Sequence, residues 1–120
     1  REYTPEDFET DVLQDSLPTL VHFYRSWSIG DQVMIAQVER LERSAQGVFK
    51  VGWVDVEKYP EMLTLHTRIE APALLLFAGG KRIFQSEGVF DEADVCRDAF
   101  DAIRRWERRK MAGAAETAPE

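Results

Sequence analysis

The sequence predicts an α/β fold in which a mixed central sheet is flanked by helices. Three observations support this prediction: short apolar segments typical of buried strands, helical spacing between them, and a Gly79-Gly80 turn joining the last two strands. Strand–helix–strand units give a parallel part of the sheet, and the glycine turn gives an antiparallel edge. With 120 residues, 44% of them hydrophobic, the chain suits one domain with one core.

The first half of the chain alternates helix and strand. Thr4 is a predicted N-cap, with Pro5 at the first helical position and Asp7 three residues after the cap. A buried strand follows in "LPTLVHFYR". Apolar residues then recur at helical spacing from Asp31 to Ala45, and Gly47 is the predicted stop. The next segment, "VFKVGWVDV", is predicted to be the second strand.

The second half is predicted to hold a short helix, a hairpin and a last helix. Pro60 begins the short helix "PEMLTLHT", and "ALLLFA" and "KRIFQ" form the hairpin. Asp91 opens the last helix, which is expected to end at "RRWERRK" with cations at the negative pole of its dipole. We expect a domain over residues 1–110 and a disordered tail or linker over residues 111–120.

Composition argues against several classes of function. A net charge of −7 does not suit a nucleic-acid binder, which needs cations to replace phosphate counterions. No apolar run approaches the roughly 20 residues that span a bilayer, so membrane insertion is not expected. Cys96 is the one cysteine, which excludes an internal disulfide and a cysteine-based metal cluster. Two separated histidines do not suggest a metal site, and no cofactor is expected.

Three segments in order resemble a thioredoxin-fold domain between about Tyr3 and Arg105. "LVHFYRSWSIGDQVMI" resembles the family's strand, its Trp, its Cys-x-x-Cys step and the following helix. "VDVEKYPEM" resembles the second strand and its proline-started helix, and "EAPALLLFAGGKRI" resembles the segment with the family's cis-proline and hairpin. The opening of the chain looks closer to domains of the protein-disulfide-isomerase type.

The resemblance places Ser28 and Asp31 where the family has its two cysteines. His22 falls where a buried acid is usual, Trp53 near a partner lysine, and Ala73 at the threonine after the cis-proline. Thiol–disulfide exchange needs an attacking thiolate and a second thiol that resolves the mixed disulfide. With this alignment, disulfide oxidoreductase activity is excluded. The expectation is a chain without catalytic residues, which is not an enzyme.

Ser28 and Asp31 also fit a capping box at the start of a helix. The sharper alternative is a hydrolase in which Ser28 is the nucleophile, His22 the base and Asp31 the orienting acid, although no nucleophile-elbow motif is present. We interpret His22 as a core histidine with one satisfied nitrogen, and Cys96 as a small buried hydrophobe.

The functional expectation is a redox-inactive thioredoxin-like module, in the manner of a chaperone or a docking domain, that binds proteins or unfolded peptides. The resemblance places the peptide groove beside the start of the second helix and the proline loop. A purely structural scaffolding domain remains the alternative. The expected binding residues are Trp27, Ser28, Ile29, Gly30, Asp31, Ala71, Pro72 and Ala73.

The start of the chain at Arg1 without a Met favours a domain from a longer polypeptide. The likeness to disulfide isomerases favours the lumen of the endoplasmic reticulum, with the cytosol as the other location considered. Client, parent protein and oligomeric state do not follow from the sequence.

Overall fold

The computed structural model describes residues 1–62, 72–88 and 90–117, with side chains described as far as Ala112. The first helical segment is a short α-helix that continues as a π-helix. The elements are α1 (Pro5–Asp7), the π-helix (Phe8–Leu13), β1 (Thr19–Tyr24), α2 (Ile29–Ala45), β2 (Lys50–Asp55), β3 (Ala73–Ala78), β4 (Lys81–Glu87) and α3 (Glu92–Thr117). The short helix expected over "PEMLTLHT" falls mostly on residues 63–71, outside the described residues.

The four described strands form one mixed sheet in the order β2-β1-β3-β4. β1 and β2 are parallel, as a strand–helix–strand unit requires, while β3 is antiparallel to both β1 and β4. The α/β class with a mixed sheet flanked by helices is therefore confirmed. Among the four described strands, β1 and β2 are the parallel pair, because β3 returns in the opposite direction.

Side chains that alternate along the strands divide the core between the two faces of the sheet. Leu20 of β1 packs on the face covered by α2 and α3, whereas Val21 and Phe23 pack on the face covered by the N-terminal helical segment. β3 is buried along its whole length, as expected of a strand with cover on both faces. α2 and α3 thus lie on the same face of the sheet.

The chain start lies along β2 at the edge of the sheet. Tyr3 N donates to Trp53 O at 2.8 Å, and Trp53 N donates to Arg1 O at 2.9 Å. Gly52 makes this approach feasible, because a Cβ there would lie 2.1 Å from the Tyr3 ring. The first residues therefore act as an extra partner for β2.

α3 continues past its expected end. The sequence predicts that the helix ends at Lys110, but it runs to Thr117, about two further turns. Helical structure therefore includes residues 111–117, while the domain boundary at residue 110 stays a prediction. The cations of "RRWERRK" do not lie in the last turn, so the helix-dipole interpretation of them is wrong.

Candidate functional site

The start of α2 is built on a serine cap, as the sequence predicts. Ser28 has extended backbone geometry, and its Oγ accepts a hydrogen bond from Asp31 N at 3.3 Å. The return bond of a capping box is not formed, because Ser28 N already donates to Arg25 O at 3.1 Å. The Asp31 carboxylate points instead to Arg25.

Asp31 and Arg25 form an ion pair that ties the loop after β1 to α2. Arg25 N donates to Asp31 Oδ2 at 2.7 Å, Arg25 Nε donates to the same oxygen at 3.0 Å, and Arg25 Nη2 donates to Oδ1 at 3.1 Å. Asp31 is 1% exposed. Burial alone raises its pKa, but the hydrogen bonds from Arg25 and Ser28 outweigh burial and hold the pKa below 3.8. The carboxylate is therefore charged and fully engaged at neutral pH.

Removing the cap should cost little. Replacing Ser28 by Ala leaves Asp31 N without its acceptor at the first turn, and we expect a loss of about 1 kcal/mol in the free energy of unfolding. Urea denaturation of the variant measures this loss. Ser26→Ala, which removes an exposed hydroxyl just before the cap, is the control and should change the free energy of unfolding by less than about 0.5 kcal/mol; a loss above about 3 kcal/mol at Ser28 would contradict a simple capping role.

Three apolar side chains beside the cap are exposed to solvent. Trp27 is 64% exposed, Ile29 81% and Val33 60%. Ile29 and Val33 are four residues apart, so they share one side of α2. We call Trp27, Ile29 and Val33 the α2 edge. Val33 is not among the site residues that the sequence predicts, although its spacing of four from Ile29 is a signal that indicates it.

Polar contacts orient the Trp27 ring at this edge. The indole Nε1 donates to Glu57 Oε1, and the Arg25 guanidinium lies over the ring with its Cζ 5.0 Å from the centroid. Because Arg25 also binds Asp31, the helix cap and the ring orientation share one side chain. An exposed aromatic ring held in this way is preorganised for contact with another molecule.

The proline loop is only partly described. Ala71 lies outside the described residues, and so does the conformation of the bond before Pro72. Pro72 is half-buried, and its carbonyl accepts from Gly88 N at 2.8 Å. Ala73 begins β3 and is 1% exposed, so its side chain belongs to the core. Ser28, Ile29 and Gly30 lie together with Trp27 at the start of α2, whereas Asp31 and Ala73 face inward.

His22 of β1 lies on the face of the sheet that α2 and α3 cover, and it is 1% exposed. Burial lowers its pKa from 6.5 to about 4, although the Asp31 carboxylate opposes the shift. Among the described residues, Nε2 has no hydrogen-bond partner, and the expectation that one ring nitrogen is satisfied stays a prediction for Nδ1. The ring lines a cavity of about 210 Å³ that the sequence did not indicate.

A hydrolase triad is not assembled from Ser28, His22 and Asp31. The Ser28 hydroxyl is used by the helix cap, and the Asp31 carboxylate is used by Arg25. Within the described part of the chain, no hydrogen bond joins His22 to either residue. Cys96 lies half-buried on α3, and burial together with the Glu92 carboxylate raises the pKa of its thiol.

Comparison with known proteins identifies the family. A thioredoxin family model matches residues 1–99. The chain belongs to the thioredoxin family. A thioredoxin from Mycobacterium tuberculosis is 30% identical over 101 residues, which cover 83% of this chain and 86% of that protein. A thioredoxin from Buchnera aphidicola is 31% identical over 100 residues, covering 83% of this chain and 92% of that protein.

A longer relative contains a similar region. The bifunctional thioredoxin reductase/thioredoxin of Mycobacterium leprae is 31% identical over 103 residues, which cover 85% of this chain. The chain spans only 22% of the length of that relative. Thioredoxins act on protein substrates, which agrees with the expected protein partners at that coarse level. Among the described helices, none has the length and hydrophobicity needed to cross a bilayer.

The thioredoxin relatives overturn the expected function. The prediction of a redox-inactive docking module, with scaffolding or a Ser28 hydrolase as alternatives, is wrong, because relatives named thioredoxins point to redox-active function. The prediction that the chain is not an enzyme is wrong for the same reason, since thioredoxins are disulfide oxidoreductases. Both predictions rested on placing Ser28 and Asp31 at the cysteine positions, and one cysteine does not show that a motif was lost.

The relatives also correct the expected location and subfamily. They include bacterial and chloroplast thioredoxins, so the prediction of the endoplasmic reticulum lumen is wrong. The likeness to disulfide isomerases and the chaperone role have no support among these matches. The likeness to disulfide isomerases rested on the opening segment of the sequence, but the thioredoxin family model matches that segment as well.

Proposed function

We propose that the chain acts on protein substrates by thiol–disulfide chemistry, as a thioredoxin-type oxidoreductase, and that it holds these substrates at the α2 edge. Membership of the thioredoxin family supports the class of reaction. The observation that carries the docking site is the exposure of Trp27 beside Ile29 and Val33. Large exposed apolar side chains grouped in this way are typical of protein-binding surfaces.

The α2 edge suits an extended segment of a protein substrate. The oriented Trp27 ring offers an apolar face, and Ile29 and Val33 continue that face along the helix. Pro72 and the backbone beside Ser28 and Gly30 are proposed to complete the site, as the resemblance implies. Ala71 and Ala73 are proposed as further members of the site, and Ala73 would contribute through its backbone because its side chain is buried.

The chain supplies a single thiol, Cys96, to exchange with a substrate. The Cys96 thiolate attacks one sulfur of the substrate disulfide, a mixed disulfide forms, and the other substrate sulfur leaves as a thiolate. One thiolate of an external dithiol then attacks the substrate sulfur of the mixed disulfide and releases the Cys96 thiolate. The second thiol of the dithiol displaces the substrate sulfur as a thiolate, and the dithiol becomes a disulfide. Because burial and Glu92 raise the pKa of Cys96, the reaction should be faster above neutral pH.

Docking and exchange occupy different parts of the fold. Cys96 follows Glu92 by one turn of α3, and Glu92 accepts a hydrogen bond from Ser44 near the far end of α2 at 2.8 Å. Separate variants can therefore test the two steps. We also propose that the chain forms part of a longer polypeptide, a hypothesis that the length of the Mycobacterium leprae relative supports.

Reduction of insulin disulfides by dithiothreitol tests the proposal. We expect the chain to accelerate the reaction over dithiothreitol alone, Trp27→Ala to lower kcat/KM about tenfold, and Cys96→Ala to abolish the acceleration. Met111→Ala, which removes an exposed apolar side chain from α3, is the control and should leave the rate unchanged. Circular dichroism checks that each variant is folded.

Each outcome of this assay decides one step. A wild-type rate equal to that of dithiothreitol alone would overturn the oxidoreductase function. A wild-type rate in Trp27→Ala would overturn the α2 edge as the docking site. A wild-type rate in Cys96→Ala would overturn Cys96 as the reacting thiol.

A further inference from the structure

We propose that a cationic cleft between the β3–β4 turn and α3 binds a small phosphate-bearing anion. The cleft lies away from the α2 edge and has a volume of about 730 Å³. Two elements that are distant in sequence, the hairpin and the second half of α3, form its walls. Its lining consists of Ser16, Gly79, Lys81, Arg82, Ile83, Trp106, Arg109 and Lys110.

The charge of the lining is opposite to that of the protein. The chain has 22 acidic and 15 basic residues, yet the lining that the described residues give the cleft holds four cationic side chains and no carboxylate. Cations that converge in a concave surface reinforce one another's potential, and this attracts anions locally even when the net charge is negative. Screening over about 8 Å at physiological salt limits the repulsion from distant acids.

Stabilisation of the helix end does not explain these cations. Arg109 and Lys110 lie about two turns before the end of α3 at Thr117, whereas the helix dipole acts on the last turn. Lys81 and Arg82 begin a different element, β4, and are exposed. The two pairs of cations meet only in the folded protein, so a local helical cause cannot account for all four.

Trp106 forms an aromatic wall that positions Lys110. The Lys110 Nζ lies 5.0 Å from the centroid of the Trp106 ring, in a cation–π contact. That contact leaves the ammonium donors able to bind an acceptor in the cleft. Gly79 has a positive φ of 59°, which the hairpin turn requires, and a Cβ there would be in ordinary contact with the Trp106 ring, 3.4 Å from Cζ2. The turn and the aromatic wall therefore lie side by side.

The donor set favours phosphate over a carboxylate. Guanidinium groups bind phosphate oxygens through paired N–H donors, and lysine adds a point charge. The cations Lys81, Arg109 and Lys110 match the several negative charges of a di- or triphosphate better than a single carboxylate charge. A Ser16 hydroxyl at the same cleft can donate a further hydrogen bond.

Tripolyphosphate is the probe for this site. In an NMR titration of the ¹⁵N-labelled chain, we expect shifts confined to the Trp106 indole N–H and the amides of Gly79, Lys81, Arg109 and Lys110. The double variant Arg109→Gln/Lys110→Gln should weaken binding at least tenfold, and raising the salt from 50 to 200 mM should weaken wild-type binding severalfold. Arg43→Gln/Arg97→Gln changes the net charge equally on exposed positions outside the cleft and should bind as the wild type does.

Two results would overturn the proposal. One is a wild-type affinity in the Arg109/Lys110 variant, and the other is an equal loss in the Arg43/Arg97 control, which would indicate general charge attraction. A parallel flotation assay with phosphatidylcholine vesicles containing phosphatidic acid distinguishes the source of the phosphate. Binding of tripolyphosphate without vesicle binding supports a free small molecule, and vesicle binding lost in the same variant supports a lipid headgroup. Neither readout depends on insulin reduction, so failure here is distinct from failure of the proposed function.

Discussion

Replacing Asp31 by Ala is expected to lower the free energy of unfolding by about 3 kcal/mol, the largest single effect at the start of α2. The carboxylate is 1% exposed and accepts three hydrogen bonds from Arg25. Its removal leaves Arg25 N and the guanidinium without that acceptor, and truncating one partner of a buried pair is strongly destabilising. Because Arg25 is partly exposed, water recovers some of the loss.

Chemical denaturation of wild type and variant measures this effect. Asp94→Ala is the control, since Asp94 pairs with Arg97 at 2.9 Å but both side chains are more than half exposed. Such a surface pair should contribute less than about 1 kcal/mol. A loss below about 1 kcal/mol for Asp31→Ala would show that the pair with Arg25 does not hold the loop to α2.

Acidification from pH 7 to pH 4 is expected to lower the stability by about 3 kcal/mol through His22. The unfolded chain binds a proton at this residue below pH 6.5, whereas burial holds the pKa in the folded state at about 4. Protonation therefore favours the unfolded state in this window, and the His22 contribution is fully present above pH 6.5 and lost as the pH falls to about 4.

The variant His22→Phe isolates this contribution. It removes the titrating imidazole, so the slope of the free energy of unfolding against pH should flatten between pH 6.5 and pH 4. The other histidine, His66, is present in both proteins, so the difference between them reports His22 alone. The pKa of Asp31 is lowered from 3.8 in the folded state, so its contribution to stability is present above pH 3.8 and is lost as the pH falls below that value. An unchanged slope in His22→Phe would contradict a buried neutral imidazole.

Local patterns predicted the fold well. The capping box at Thr4 and Asp7 is present, with Asp7 N donating to Thr4 Oγ1 at 3.2 Å, and Asp91 Oδ1 accepts from Ala93 N at 2.8 Å at the start of α3. Both depend on residues within three positions of each other, which a sequence displays directly. The π-helix after α1 was missed, because its wider turn has no comparable residue signature.

The candidate site was harder to predict because it depends on competition between contacts. The sequence suggested that Asp31 would bond back to the Ser28 backbone, but the backbone N–H of Ser28 was taken by Arg25 O and the carboxylate by Arg25 itself. Exposure of Trp27 and Ile29 depends on how α2 packs against the sheet. The sequence did not indicate the cationic cleft, because its cations come from two separate elements. The cations on α3 were interpreted instead as partners of the dipole at the expected helix end.

The pairing of the first residues with β2 affects how the protein behaves at high concentration. Bare edge strands offer unpaired N–H and C=O groups to neighbouring copies and promote aggregation. Here Glu2 forms a parallel bridge with Trp53. At the opposite edge of the sheet, β4 begins with two charged side chains, and its pairing with β3 shifts register between Leu76 and Phe77 of β3. Trimming the first three residues would therefore expose a strand that other copies could extend, and the shortened chain should form intermolecular sheet more readily than the untrimmed one.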